Sequence, residues 1–353
     1  MTPIIIVGAS TRAAAWSALR AGYRPYCVDL FADTDLLAVA EVRRCPIQDY
    51  PNDLVRLTEG YPDAPLLYTG GLENHPEVVA RLERRFELLG ESADTLRRVR
   101  CPFTLHDGLT AAGLPALRVG REPGEVGGEV LAKPLRGTGG SGITSLTQAS
   151  DSRCYSQEFK PGRPMSTLFL PGDSEPWATT RQLIGEPWLN AKPFQYCGNI
   201  GPVATDAETR ARLTGIGRLL RQEFGVRGLF GVDWIDAPGG PWLTEVNPRY
   251  AASVEVAELA LGRSALRPTV NRSSGNGVIG KAVLFAGHAT VFPGPGVNDP
   301  NPVDPWRLPA VADVPTAGEN IEPGHPIMTI FARGRSAEEC EAKLRRLAST
   351  ATQ

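Results

Sequence analysis

Gly231-Val232-Asp233-Trp234-Ile235-Asp236, then Ala237-Pro238-Gly239-Gly240-Pro241, then Trp242-Leu243-Thr244-Glu245-Val246-Asn247-Pro248-Arg249 decide how this chain reads. Two runs rich in β-forming residues flank a short Pro/Gly loop, which predicts a β-hairpin. With 237–241 as the loop, Asp233 lies opposite Glu245 and Asn247 opposite Gly231. Alternation of side chains along a strand then puts Asp233, Glu245 and Asn247 on one face. Hard oxygen ligands grouped in this way suit magnesium held together with phosphates. Arg249 follows directly, where a guanidinium can grip a phosphate or carboxylate through two bonds. A one-residue slip would scatter the set. The same residues also read as an ordinary acidic hairpin.

Upstream stands Leu131-Ala132-Lys133-Pro134-Leu135-Arg136-Gly137-Thr138-Gly139-Gly140-Ser141-Gly142-Ile143. A lysine at a strand end can neutralise phosphate charge, and closely spaced glycines leave backbone N–H groups free to wrap phosphate oxygens. The lysine precedes the glycines, so this is not a Walker A loop. A plain glycine-rich turn stays open as the alternative. Between the two motifs lies Tyr155-Ser156-Gln157-Glu158-Phe159-Lys160-Pro161-Gly162-Arg163-Pro164-Met165-Ser166, a polar strand leading into a turn. Its backbone can meet an adenine edge and its carboxylate a ribose, although by itself it reads equally as an exposed strand.

The N-terminal segment alternates strand and helix signals. Ile4–Val7 is apolar and ends in Gly8-Ala9-Ser10, 13–21 has helical composition, Tyr26–Asp29 is a second strand and Leu66–Thr69 a later one. That alternation predicts a parallel sheet with covering helices. Gly8-Ala9-Ser10-Thr11-Arg12-Ala13 lacks the second and third glycines of a dinucleotide fingerprint, which argues against NAD. Helices are expected at 94–100, 105–112 and about 206–224, and strands at 130–133, 168–170, 179–184, 229–235 and 242–246. Residues 293–305 read as a long Pro/Gly loop, with strands near 280–286 and 327–332 and a last helix over 336–347.

Charged residues make up 22% of the 353, with a formal charge of -2, so nothing points to a nucleic-acid partner. No apolar run is long enough to span a bilayer, and no signal peptide is expected at the N-terminus. Cysteines 27, 45, 101, 154, 197 and 340 form no C-x-x-C pair, which predicts reduced thiols and a cytoplasmic protein.

Taken in order, Lys133 with its glycine loop, Gln157-Glu158-Phe159-x-x-Gly162-x-x-x-Ser166, Gly231-x-Asp233 and Thr244-Glu245-Val246-Asn247-Pro248-Arg249 resemble the ATP-grasp superfamily. The motifs span roughly residues 95–255. The resemblance implies an α/β chain with the ATP-grasp fold in three parts. These are an N-terminal Rossmann-like parallel-sheet domain over 1–95, a nucleotide- and metal-binding region over 96–265, and a C-terminal β-rich extension with a terminal helix over 266–353.

The resemblance also implies roles. Lys133 contacts nucleotide phosphates, Gly137, Thr138, Gly139, Gly140, Ser141 and Gly142 form the phosphate-covering loop, and Gln157, Glu158 and Phe159 border the adenosine. Asp233, Glu245 and Asn247 hold Mg2+, with Mn2+ as a substitute, and Arg249 holds the acyl phosphate or its carboxylate precursor. Many members carry an earlier lysine; Arg100 is the nearest counterpart. The short span from Lys133 to Gln157 suggests a reduced lid. Ser10, Arg12, Glu73 and Asn74 end strands of the first sheet, where such sheets bind ligands, and Arg181 is a further anion clamp.

The implied activity is that of an ATP- and Mg2+-dependent carboxylate–amine ligase working through an acyl phosphate, on small-molecule carboxylate and amine substrates, with homo-oligomers compatible. A faint resemblance extends to ligases of pterin- and methanofuran-type cofactor biosynthesis, such as tyramine–glutamate ligase. A biotin-carboxylase-like carboxylase and a non-catalytic nucleotide-binding module are the alternatives.

Overall fold

A computed structural model of the chain describes residues 1–146, 152–272, 277–294 and 304–351. Its first unit grows from the apolar run at the N-terminus. Strands β1 (Thr2–Val7), β2 (Tyr23–Asp29), β3 (Glu41–Arg44) and β4 (Leu66–Tyr68) form a parallel sheet in the order β3-β2-β1-β4. Ile4, Ile5, Ile6 and Val7 are all buried. A continuous apolar run is what a parallel strand covered on both faces requires. The expected helix runs from Arg12 to Arg20 and lays Ala14, Ala15 and Ala18 on the sheet.

The glycine after β1 has a packing reason: a Cβ on Gly8 would fall 2.0 Å from Thr69 Oγ1. Asp29, at the end of β2, accepts from Thr11 N–H at 2.6 Å and from the Phe31 and Ala32 amides at 2.8 and 2.7 Å. Those bonds occupy the carboxylate that a dinucleotide site would offer to a ribose.

A small antiparallel sheet follows, from β5 (Val119–Gly120), β6 (Val130–Pro134), β7 (Thr144–Leu146) and β8 (Cys154–Glu158), in the order β5-β8-β6-β7. The glycine-rich loop joins β6 to β7. The largest sheet contains β9 (Arg163–Phe169), β10 (Ala178–Ile184), β11 (Tyr196–Gly201), β12 (Phe230–Asp236), β13 (Trp242–Asn247) and β14 (Val278–Phe285). After the short β15 (Thr290–Val291), β16 (Val311–Ala312) and β17 (Asn320–Ile321) comes β18 (Pro326–Gly334). The large sheet runs β13-β12-β9-β10-β11-β14-β18-β16, and β15 pairs with β17 alone.

The C-terminal strands thus extend the central sheet through the pairing of β11 with β14. β11 escapes the sequence reading because two glycines and an asparagine mute its β signal, and β9 starts at Arg163, ahead of the expected 168. Most of the loop read over 293–305 lies outside the described residues.

Two helices brace the central sheet. The helix Ala207–Gln222 opens with Asp206 accepting the Thr209 N–H at 2.8 Å. Its Leu213, Ile216 and Leu220 recur at helical spacing and join the core around Phe169 and Phe230, whose rings stack at 4.7 Å. The terminal helix Ala337–Ala351 buries Cys340, Leu344 and Ala348, one turn apart, against β14 and β18. Among the described residues no helix is long and apolar enough to cross a membrane.

Candidate active site

β12 and β13 pair antiparallel, with Gly231 opposite Asn247, Val232 opposite Val246 and Asp233 opposite Glu245. This is the register that a 237–241 loop sets. The register then shifts: Trp234 faces Leu243, so Thr244 is an extra residue on β13. A bulge of this kind re-aims backbone groups. Thr244 O accepts from Lys133 Nζ at 3.2 Å and from Gln157 Nε2 at 3.3 Å, which ties the hairpin to the small sheet.

Asp233, Glu245 and Asn247 share the wall of a cavity of about 610 Å³. It lies between the small sheet, the central sheet and the ends of β1 and β4, where Ser10, Thr69 and Gly70 line it. Asn247 Nδ2 donates to Asp233 Oδ2 at 2.8 Å, and Arg249 Nη2 donates to Asn247 Oδ1 at 2.9 Å. Burial, and then the charge of Glu245, push the Asp233 carboxyl up to about 7. Burial would also raise Glu245, but Arg100, Lys133 and Arg249 outweigh it and hold that carboxyl below its ordinary range. The two carboxylates therefore compete for one cationic environment, a tension that a divalent cation would relieve.

Among the described residues no group of three or more His, Cys, Asp or Glu is placed to hold a metal by itself. Two carboxylates and one amide fit a magnesium ion that takes its remaining ligands from phosphates and water.

The cations converge from three elements. Lys133, on β6, is buried and donates to Gln157 Oε1 at 3.1 Å and to Thr244 O, both neutral acceptors, so its charge is left for an anion in the cavity. Arg100, just beyond the helix Ala93–Val99, donates to Val246 O, Asn74 Oδ1 and Gly137 O, each at 3.1 Å, and lies 3.5 Å from Glu245. Its Nε is buried without a partner. Arg249 reaches across to the first unit and pairs with buried Glu73 at 2.9 Å.

The glycine loop is anchored at Gly137 O by Arg100 and by Asn74 Nδ2 at 3.0 Å, and at Gly139 O by the Tyr196 amide at 3.0 Å. Gly139, Gly140 and Gly142 adopt left-handed backbone angles. A Cβ on Gly140 would fall 1.8 Å from Phe194 O, so the loop closes over the cavity only with glycine there.

Thr138, Gly139, Gly140, Gln157, Glu158 and Phe159 line the main cavity, and Gly137 and Ser141 a small adjoining pocket with Arg100. Gly142 turns beside them and lines neither. Burial would raise Glu158, but bonds from the Arg118 side chain and backbone keep its carboxyl below the usual range.

Two arginines expected at the site, Arg12 as a substrate-binding residue and Arg181 as an anion clamp, lie elsewhere. Arg12 is buried between Asp35, at 2.5 Å, and Glu255, and does not line the cavity. Arg181 pairs with Glu341 of the terminal helix, on the opposite face of β10 from Gln182 and Ile184, which do line the cavity. Glu73 and Asn74 also stay out of the lining; they hold Arg249 and Gly137 O in place. The sequence reading missed Gln182, Tyr196, Asn199 and Lys281 in the wall. Gln182 stands alone of these on β10, Tyr196 and Asn199 are three apart on β11 and Lys281 is on β14, so no spacing in the sequence marks their shared face before the sheet order is known.

Residues 109–253 match a family model described as an ATP-grasp domain. Among solved structures the chain is similar to N5-carboxyaminoimidazole ribonucleotide synthetase from Thermus thermophilus, at 15% identity over 98% of each chain and a TM-score of 0.68. Biotin carboxylase from Campylobacter jejuni, in complex with β-γ-ATP, matches at 14% identity over 97% of this chain and 90% of that one, with a TM-score of 0.70. L-amino acid ligase from Bacillus licheniformis matches at 17% identity over 99% of this chain and 97% of that one, with a TM-score of 0.67. At such identities the likeness is one of fold. No curated protein matches the sequence.

Proposed function

We propose, from the match of residues 109–253 to an ATP-grasp domain model and from the likeness of fold, that this is an ATP-dependent ligase that activates a small-molecule carboxylate as an acyl phosphate and couples it to an amine. The observation that carries this reading is the meeting of Lys133, the glycine loop, the oxygens of Asp233, Glu245 and Asn247, and Arg249 around one cavity.

In this reading Asp233, Glu245 and Asn247 would hold Mg2+, or Mn2+ in its place, which would supply positive charge to offset that of the triphosphate. Lys133 and the loop from Gly137 to Gly142 hold the triphosphate, Arg100 fixes both Glu245 and Gly137, and Glu158 and Phe159 border the adenosine. The substrate carboxylate oxygen attacks the γ-phosphorus in line, the bond to the bridging oxygen breaks, and ADP leaves. Arg249 then faces the acyl phosphate. The amine nitrogen attacks the acyl carbon, the carbon–oxygen bond to phosphate breaks, and the nitrogen loses a proton. No side-chain nucleophile is required.

A second reading draws on the fold likeness to biotin carboxylase and to N5-carboxyaminoimidazole ribonucleotide synthetase. In it the activated carboxylate is bicarbonate. A place in pterin- or methanofuran-type cofactor biosynthesis rests on the sequence resemblance alone. The cytoplasm is the proposed compartment, in keeping with six free cysteines.

The test is to screen carboxylate and amine pools for substrate-dependent release of ADP and phosphate, with hydroxylamine present to trap an acyl phosphate as its hydroxamate. Turnover that requires bicarbonate alone favours the second reading. ADP release that never depends on a carboxylate sinks both.

A further inference from the structure

The cavity continues past Arg249 to an end whose chemistry is the reverse of the phosphate end. Asp33 holds the N-cap position of the short helix Thr34–Leu37, where an aspartate ordinarily accepts an N–H from the first turn. Here its side chain makes no capping bond. It is only 7% exposed, and it lines the cavity.

The charges that act most strongly on Asp33 are carboxylates: Asp313, Asp29, Asp35 and Glu319. Asp313 and Glu319 line the same end. Asp313 is held by Thr329 Oγ1, which donates to its Oδ2 at 2.5 Å, and by its own amide, which donates to Asp35 Oδ2 at 3.2 Å. Glu319 meets Arg44 at 3.3 Å on the outer side.

A buried carboxylate with no counter-charge is costly and either takes up a proton or waits for a cation. Burial and its acidic neighbours push Asp33 up to about 8, the same conflict seen as a titration. Among the described residues no group of three or more His, Cys, Asp or Glu is placed here to hold a metal. An organic cation spans larger gaps. The surrounding wall is apolar, from Phe31, Pro315, Ile321, Ile327 and Met328. Phe31 is 37% exposed, and an aromatic ring in the wall is a further partner for a cation.

We propose that this end of the cavity binds an organic cation, an ammonium or guanidinium carried on an apolar body, with Asp33 as its main counter-charge and Asp313 and Glu319 flanking it. Resting on the ligase reading, this makes the second substrate a compound with two basic groups, one held here as the cation and the other a free amine that reaches the acyl phosphate.

Calorimetric titration of the full chain, without nucleotide, tests the proposal with hexylammonium chloride, neutral 1-hexanol and Mg2+ alone as probes. Wild type is expected to bind hexylammonium at least tenfold more tightly than Asp33→Asn, and to bind hexanol at least tenfold more weakly than hexylammonium. Asp313→Asn, less central and held by Thr329, is expected to lose a smaller factor, and it serves alone if Asp33→Asn does not fold. Equal binding of hexylammonium and hexanol, or unchanged affinity in both variants, overturns the proposal. So does an Mg2+ isotherm that disappears in Asp33→Asn, which would make the cluster a metal site. Mg-ATP titrated into the same wild-type sample reads the other end separately. If ATP fails to bind while hexylammonium binds through Asp33, the ligase reading falls and the cation site stands; the converse outcome removes the cation site alone.

Discussion

At one end of the cavity Lys133, Arg100 and Arg249 interleave with Asp233 and Glu245, while at the other Asp33 lies beside Asp313 and Glu319 and the strongest charges on it are carboxylates. The first end is held by a connected set of hydrogen bonds, from Glu73 through Arg249 and Asn247 to Asp233, and from Asn74 and Arg100 to the glycine loop. Preorganised charge of this sort is how a phosphoryl-transfer site stabilises a transition state without reorganising. At the acidic end Glu319 has Arg44 and Asp313 feels Arg12, but Asp33 has no ion pair of its own among the described residues, as suits a place that recognises a substrate.

The hairpin oxygens should matter most. Glu245→Gln combined with Asn247→Ala is expected to lower ADP formation on the order of a thousandfold or more while the circular dichroism spectrum stays native. Wild-type turnover in that double variant would reduce the hairpin to a structural element.

Arg249 comes next, and here catalysis and stability can be separated. Arg249→Ala should lower kcat by roughly two to three orders of magnitude, about 2–4 kcal/mol, with a smaller effect on KM for ATP. It also strands Glu73, whose side chain is 1% exposed, so the melting temperature should fall as well. Adding Glu73→Gln should restore much of the stability and none of the turnover. If activity per folded molecule returns with stability, Arg249 is a brace between the two units and not a phosphoryl clamp.

A subtler effect concerns pH. Asp233 is raised to about 7 in the fold, against about 4 for an ordinary aspartate. The folded state therefore holds a proton that the unfolded state releases. The stability this proton confers is full below about pH 4 and is lost as the pH rises through about 7. Asp233→Asn should consequently melt higher than wild type at pH 8 in EDTA, and its stability should vary less between pH 5 and 8. Parallel melting curves for the two proteins across that range would show that the carboxyl is not strained.

Arg181→Ala should do least. Its partner Glu341 is on the terminal helix and the pair is partly exposed, so about 1 kcal/mol or less is at stake and the kinetics should not move. A large loss of kcat would put the arginine back in the cavity.

The pairing of Asp233 with Glu245 was legible from the Pro/Gly loop, but beside the loop Ile235 faces Trp242, and it is the extra residue Thr244 that restores the expected partners. Lys133, the glycine loop and Arg100 were legible by order along the chain. Arg12 and Arg181 were misjudged for one reason: each lies beside residues that do line the cavity, one position out of phase on its element. Ser10 and Ala13 face inward around Arg12, and Gln182 faces inward beside Arg181. Asp33 was illegible, since an aspartate ahead of a helix looks like a cap. Its cavity face exists only because the turn around Asp313 folds back from the far end of the chain.

The central claim is that Lys133 and the hairpin together make a Mg-ATP site, and a binding titration tests it most directly. Mg-ATP should bind wild type and, at a hundredfold excess over Kd, raise its stability by about 2.7 kcal/mol, whereas Lys133→Ala should need roughly ten- to a hundredfold more nucleotide for the same shift. NAD(H) should leave the melting curve where it was. Stabilisation by NAD(H) with none by Mg-ATP, or identical Mg-ATP affinity in wild type and Lys133→Ala, would contradict the account.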